Sequence, residues 1–206
     1  PVVLTYGQVS AVRRTMAAFH STLPDRPLLH IQPHHLLALD GLFTADGLQE
    51  MLRMGCQAEG FTPAPAHEHK VERLTHRHTG EIIDLYHFYP DNFFEPAQLG
   101  TGHYYGIRVD DQLVSVAGVH ILGRSSGVAV LGNIVTHPDF RMRGLSTACT
   151  SYLCEQLLRE GSQVLALNVQ RNNHSAVAVY EKLGFRYHDT YIEGFVTRLT
   201  VLRTAS

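Results

Sequence analysis

Between Gly132 and Thr150 the chain reads GNIVTHPDFRMRGLSTACT: an extended apolar run, a break at His137-Pro138, a basic turn Arg141-Met142-Arg143-Gly144, then a helix. No other stretch restricts the fold as tightly. A strand that passes through a glycine turn into a helix start leaves several N–H groups without partners, all aimed one way. The helix dipole adds to their pull on an anion. Such a junction is a socket for a diphosphate and implies a phosphate-bearing cofactor. No Gly-Lys-Ser/Thr follows, which excludes a Walker loop. The glycine spacing, with no acid about 20 residues on, excludes a dinucleotide fingerprint. By itself the segment also suits an ordinary helix start carrying two surface arginines.

Around this segment the hydrophobic pattern alternates between periods of two and 3.6. Val71–Leu74 is predicted as a strand, Gly80–Phe88 as a helix and Asn92–Gln98 as a second, short helix. Three strands follow at His103–Val109, Leu113–Leu122 and Val128–Thr136. A tight turn at Asp110-Asp111 joins the first two, and the looser Gly123–Gly127 turn joins the second pair. Gly144–Arg159 is amphipathic, with Leu145, Cys149, Leu153 and Leu157 on one stripe, and Gly161 stops it. Val164–Val169 is a strand, Asn173–Leu183 a helix, and Phe185–Tyr191 with Phe195–Leu202 close the sheet. Hairpins mixed with helical crossovers define an α+β class whose sheet is mixed and mostly antiparallel, flanked by helices. Ahead of it lies an additional N-terminal region, residues 1–65, set off by the proline-containing connector Phe61–His69. There the spacing predicts a helix over 8–20, with Val9, Val12, Met16 and Phe19 on one face. It also predicts an extended Leu28–Gln32 and a helix over 44–57 capped by Thr44.

Composition narrows the function classes. A net charge of −2 over 206 residues provides no basic field, so nucleic acid is not the expected partner. No apolar run approaches the roughly 20 residues of a membrane span, and the N-terminus lacks a signal pattern. The 14 histidines are scattered without clustered ligands, which argues against a metal protein. Three cysteines are an odd count, and Cys149 and Cys154 fall on different faces of one helix. The expectation is free thiols and a cytoplasmic location.

The loop Arg141-Met-Arg-Gly144-Leu-Ser146, following Thr136-His-Pro138, resembles the acyl-CoA loop of the GNAT N-acetyltransferase superfamily, Arg/Gln-x-x-Gly-x-Gly/Ala after Val-x-Pro. Thr136 stands for the usual Val and Ser146 for the last Gly or Ala. Asn173-His-Ser-Ala176-Val-Ala-Val-Tyr180-Glu-Lys-Leu-Gly184-Phe185 resembles the superfamily's second signature, Asn-x-x-Ala-x-x-x-Tyr-x-x-x-Gly-Phe. Asn173 suits a helix cap, and Ala176 and Tyr180, four apart, share a face. The resemblance runs from about Val71 to Leu202, so residues 70–206 are expected to form the acetyltransferase domain. The N-terminal region is compatible with a degenerate half-copy of the fold, as in relatives similar to glycine N-acyltransferase.

The resemblance implies acetyl-CoA as cofactor and a primary amine of a small molecule or peptide as acceptor. Amides of Met142, Arg143, Gly144, Leu145, Ser146 and Thr147 would hold the diphosphate, with charge from Arg141 and Arg143. The pantetheine would lie between two splayed strands, against Ile134, Val135 and Thr136 on one side and Asn168 on the other, with Asn173 and Ala176 beyond. A backbone N–H near Ile134 or Val135 would polarise the carbonyl, and Tyr180 would protonate the leaving thiolate. A core tyrosine is the plainer account of Tyr180 taken alone. His120 is the candidate base, though a structural strand histidine explains it as well. Glu81 and Asp84 suit a solvated helix face. The aromatic run Tyr86–Phe94 either borders the acceptor or only covers the sheet. A module that binds acyl-CoA without transfer is the alternative function, and a homodimer is left open.

Overall fold

Strand periodicity breaks wherever glycine, proline or paired acids force a turn, and the chain follows those breaks. In the computed structural model, which describes residues 2–45, 47–65, 69–90 and 92–199, the elements run in the following order. They are β1 (Val2–Leu4), α1 (Val9–Ala18), β2 (Leu28–Ile31), β3 (Phe43–Ala45), β4 (Gln49–Gln57), β5 (Val71–Arg73), α2 (Thr79–Tyr86), β6 (Tyr105–Val109), β7 (Gln112–Gly123), β8 (Val128–Thr136), α3 (Leu145–Arg159), β9 (Val164–Gln170), α4 (His174–Lys182) and β10 (Arg186–Arg198). They gather into two units. One holds residues 1–53, 170–172 and 188–206, the other residues 54–169 and 173–187. No helix among the described residues is long and apolar enough to cross a membrane.

The larger unit has the mixed, mostly antiparallel sheet that the pattern predicted. β5, β6, β7 and β8 pair antiparallel in chain order, and β9 joins β8 in parallel. The β6–β7 turn places Asp110 and Asp111 at φ +48° and +63°, the paired left-handed conformation of a two-residue hairpin. One face of the sheet is covered by α2. Ile82, Leu85 and Tyr86 pack there with Leu74, Tyr104, Leu113, Val116 and Val135. The other face takes α3, whose Leu145, Cys149, Leu153 and Leu157 are each at most 1% exposed, as the stripe required. Burial raises the pKa of the Cys149 thiol, which donates to the Tyr105 carbonyl at 3.1 Å, so it is a core group. Cys56, Cys149 and Cys154 are all free and buried.

An ion cluster ties this sheet to α2. Arg108 donates to Glu72 at 2.5 Å and through both terminal nitrogens to Glu81 at 2.7 Å. The hydrogen bond from Arg108 pulls the Glu81 carboxyl below its usual value of 4.5. A carboxyl with a lowered folded pKa stabilises above its unfolded value and loses that contribution as pH falls through the folded one. Both glutamates are over a third exposed, so solvent screening keeps the effect modest. Arg108→Met is expected to cost about 1–2 kcal/mol at pH 7, lowering Tm by roughly 2–8 °C. The gap between variant and wild type should close in acid, below the Glu81 titration. An equal gap at pH 7 and pH 3 in thermal melts would show that the charges are not its source.

In the smaller unit, β1 pairs parallel with β2, and β10 pairs antiparallel with β2 and β3. Val12 and Met16 of α1 are buried against Leu29, Ile31, Ala38, Leu39, Phe43 and Val196, while Phe19, expected on the same face, is exposed. Three sequence expectations are corrected. The helix over 44–57 is instead β3 and β4, with Gly47 at φ +71° between them. Leu48, Met51, Leu52 and Met54 do suit a helix, but Met54 and Cys56 are buried in alternation, the period of a strand. The short helix at 92–98 lies later, as a 3₁₀ turn over Pro96–Thr101, because Pro96 is tolerated only at a helix start. The two closing strands are one, Arg186–Arg198, since Gly194, between the two expected strands, stays in register opposite Leu29. Residues 200–202 of that expectation lie outside the described residues.

Candidate active site

The site is set by how β8 leaves its neighbours. Val116 pairs with Val135 and Gly118 with Gly132, so Asn133 and Ile134 together oppose only Ala117. That is a bulge, with Asn133 at φ +54°, a conformation asparagine tolerates better than most residues. On its other side β8 pairs with β9 for three residues only, Val128–Val130 against Val164–Ala166. Beyond them the strands form no further pairs among the described residues, and the later halves of β8 and β9 flank a gap. Asn168 is exposed on the β9 side of that gap. At the end of β8 the N–H of His137 donates to Val114 of β7 at 2.8 Å. A peptide is planar and trans, so the Thr136 carbonyl of the same unit points away from β7, toward the gap. Alternation turns the main-chain groups of Val135 back to β7, which leaves Ile134 and Thr136 as the gap-facing residues.

The basic turn closes this gap at one end. Pro138–Phe140 form a 3₁₀ turn, Met142 sits at φ +60° with its side chain 96% exposed, and Gly144 at φ +76° starts α3. The first bond of α3's ladder is Ala148 N–H to Gly144 C=O at 2.9 Å, so the amides of Leu145, Ser146 and Thr147 stand ahead of it. Among the described residues no side chain caps this helix start. The unmet N–H groups and the dipole are the electrostatics an anion needs. Arg143 donates to the Asp139 carbonyl at 3.1 Å and lies over the Phe140 ring. Arg141 donates to the Tyr89 hydroxyl at 3.0 Å.

The second motif forms as its residues dictate. Asn173 caps α4, its side-chain oxygen accepting from Ala176 N–H at 3.2 Å. One turn beyond Ala176, Tyr180 is buried. The helix ends in a Schellman turn: Phe185 N–H bonds Tyr180 C=O at 3.0 Å and Gly184 N–H bonds Glu181 C=O at 3.1 Å. The Phe185 and Tyr180 rings sit 6.1 Å apart, so the cap also holds the phenol in place. Burial raises the Tyr180 pKa, and the phenol keeps its proton.

Among the candidate bases, Glu81 is occupied in both oxygens by Arg108. Asp84 is exposed, 3.7 Å from His87. His120 is exposed and sits where β7 carries one residue more than β8, between the Val119–Leu131 and Ile121–Val130 pairs. Its ring covers Gly132, where any Cβ would come within 2.2 Å of it. Gly132 is paired with Gly118, whose own α-carbon is covered by the Tyr104 ring. His120 and Tyr104 therefore share the α2 face, beside the bulge. Next to them, Asn133 donates to Gln98 and to the Tyr104 hydroxyl, both at 2.8 Å. Burial pushes Tyr104 up to about 12, against the pull of that Asn133 bond. Among the described residues the buried Tyr86 hydroxyl has no hydrogen-bond partner, and its pKa is pushed up by burial and by the phenols of Tyr104 and Tyr89. The sequence reading missed Asn133, Tyr104 and Gln98, and named Tyr89 only within the aromatic run Tyr86–Phe94. Only Asn133 carried a local signal, a turn-former inside an apolar strand.

The family model for the acetyltransferase (GNAT) family matches residues 68–185, more than half of the chain. The chain belongs to the GNAT acetyltransferase family. It is 40% identical over 57 residues to the ribosomal protein bS18-alanine N-acetyltransferase of Escherichia coli (strain K12), covering 28% of this chain and 38% of that one. The protein of the same name from Salmonella typhimurium is 34% identical over 79 residues, 38% of this chain and 51% of the relative. The chain thus spans about half or less of the length of these curated relatives. A putative GNAT acetyltransferase of Novosphingobium aromaticivorans superposes with TM-score 0.69 at 22% identity, covering 89% of this GNAT chain and 80% of that one. A tandem GNAT protein from the clavulanic acid biosynthesis pathway superposes with TM-score 0.64 at 14% identity, over 92% of this chain and 69% of the other.

Proposed function

We propose that this chain transfers an acetyl group from acetyl-CoA to a primary amine of a small molecule or peptide, by direct attack of the amine. The observation that carries the reading is the parting of β8 from β9 after three pairs, with an uncapped helix start at the mouth of the gap. Bound acetyl-CoA supplies an activated thioester. The amides from Met142 to Thr147 bind its diphosphate, and Arg141 and Arg143 add positive charge. Ile134, and Thr136 through its N–H, offer main-chain groups to the pantetheine amides, as a strand would. Asn168, Asn173 and Ala176 line the other side. Ile134 N–H, in the bulge, polarises the carbonyl.

Tyr180 serves the leaving sulfur. Its raised pKa makes full transfer to a free thiolate, ordinarily near 8.5, unfavourable. The phenol therefore acts by hydrogen bonding to charge as it develops, with the proton moving in concert. His120, on the α2 face beside the bulge, takes a proton from the acceptor amine. Residues 1–65 are read as a degenerate half of a GNAT fold, like that of the glycine N-acyltransferase branch, and residues 70–206 as the working domain. The superposition with a tandem GNAT protein supports that reading. A cytoplasmic location is part of the proposal, since the acetyl donor is made there.

Calorimetry with coenzyme A, followed by thiol release from acetyl-CoA over a panel of amines, tests the assignment. Saturable binding and amine-dependent release are expected. Binding without release for any amine would make the chain a sensor, and no binding would remove the assignment altogether.

A further inference from the structure

The Tyr89 side chain has a place in this site that neither signature motif contains. Its hydroxyl donates to the Thr136 carbonyl, the gap-facing acceptor at the end of β8, and accepts from Arg141 Nη2 at 3.0 Å. The Arg141 guanidinium also lies 5.5 Å from the centre of the Tyr89 ring. Tyr89 is held from below. Its ring packs on the α2 core, its N–H bonds Tyr86 C=O at 2.8 Å, and its C=O accepts from Asn92 N–H at 2.9 Å. Beside it the Phe88 ring meets His137 at 4.2 Å. One phenol thus touches both halves of the proposed seat, the strand edge that would pair with pantetheine and the arginine that would meet phosphate.

We propose that Tyr89 is a positioning residue for the acyl-CoA seat, which orients Arg141 toward the diphosphate and fills the Thr136 carbonyl at the junction of strand edge and phosphate loop. The inference rests on the function proposed above. An arginine side chain has several rotatable bonds, and a free one loses that freedom when it takes a phosphate. Held by a hydrogen bond and a ring, Arg141 meets the anion with less to lose. Tyr89 touches no reacting atom, so its effect belongs in cofactor affinity and not in the chemical step.

The test is Tyr89→Phe, which keeps the ring and removes the hydroxyl, made in the wild-type and Arg141→Gln backgrounds. In the wild-type background KM for acetyl-CoA and Kd for coenzyme A should rise about tenfold, the scale of a charge-assisted hydrogen bond, with kcat within about twofold. In the Arg141→Gln background the same change should alter KM by less than about twofold, because the group it positions is gone. Arg141 is exposed, so Arg141→Gln folds and reads the link from its other end. An unchanged KM in Tyr89→Phe, additive effects in the double variant, or a fall in kcat in place of the KM change would each overturn the proposal. Wild-type protein that binds no coenzyme A would instead overturn the functional reading beneath it. The two failures are separate.

Discussion

Tyr180→Phe is expected to lower kcat about 100-fold while Kd for coenzyme A stays within about twofold. The reason lies in where the phenol sits. Tyr180 is 6% exposed, packed on Phe185 at the end of α4. Removing its hydroxyl leaves the ring and the packing, so the helix and the phosphate loop have no cause to move. What disappears is the hydrogen bond available to the thiolate as it forms. Burial raises the pKa of Tyr180 above its ordinary value near 10, so the group is protonated throughout the working range. The wild-type rate should therefore show no alkaline fall due to this residue below about pH 10. His120→Gln, which removes the proposed base, should lower kcat with amine acceptors. Steady-state kinetics of thiol release across pH reads all of this. A Tyr180→Phe enzyme with full kcat would reduce the tyrosine to a core residue.

Gly184→Ala is expected to cost about 3 kcal/mol or more, lowering Tm by roughly 6–12 °C, and to depress activity in the surviving folded protein. Two independent obstacles meet at this position. Its φ is +98°, a conformation open to glycine and strained for alanine. A Cβ there would also lie 2.1 Å from the Gly60 carbonyl oxygen, a backbone atom that cannot swing aside. Gly184 completes the Schellman turn that clasps Phe185 onto Tyr180, so strain here reaches the proposed acid through one covalent neighbour. By contrast Gly161→Ala, at φ +98° with no atom within 4 Å of its Cβ, meets the conformational obstacle alone and should cost clearly less. Thermal melts of the two variants separate the terms. Equal Tm losses would mean that the contact with Gly60 contributes nothing.

Much of this molecule could be read before any coordinates. The strands β5 to β9 and the helices α2 to α4 lie within a few residues of where periodicity put them. β6, β7, β8, α3 and α4 end on a glycine, proline or acid pair whose backbone preference is local. The cap at Asn173, the stop at Gly184 and the uncapped start at Gly144 are likewise properties of a few consecutive residues. The segment 44–57 reads as a helix by sequence because leucine, methionine, glutamine and glutamate favour helices in isolation. Strand partners in the folded chain overrule that preference, and the partner of β3 is β10, some 150 residues later.

Sequence alone determined the order of elements from β5 to α4, the basic glycine turn and the second signature, because each rests on hydrogen bonds and torsions spanning a handful of neighbours. Tertiary structure decided which main-chain edges face the gap, that Glu81 is consumed by Arg108, that His120 lies over Gly132, and that Tyr89 bridges Thr136 and Arg141. Those facts depend on strand register and on contacts between residues 12 to 52 positions apart. A one-residue shift in register would turn every one of them to the other face.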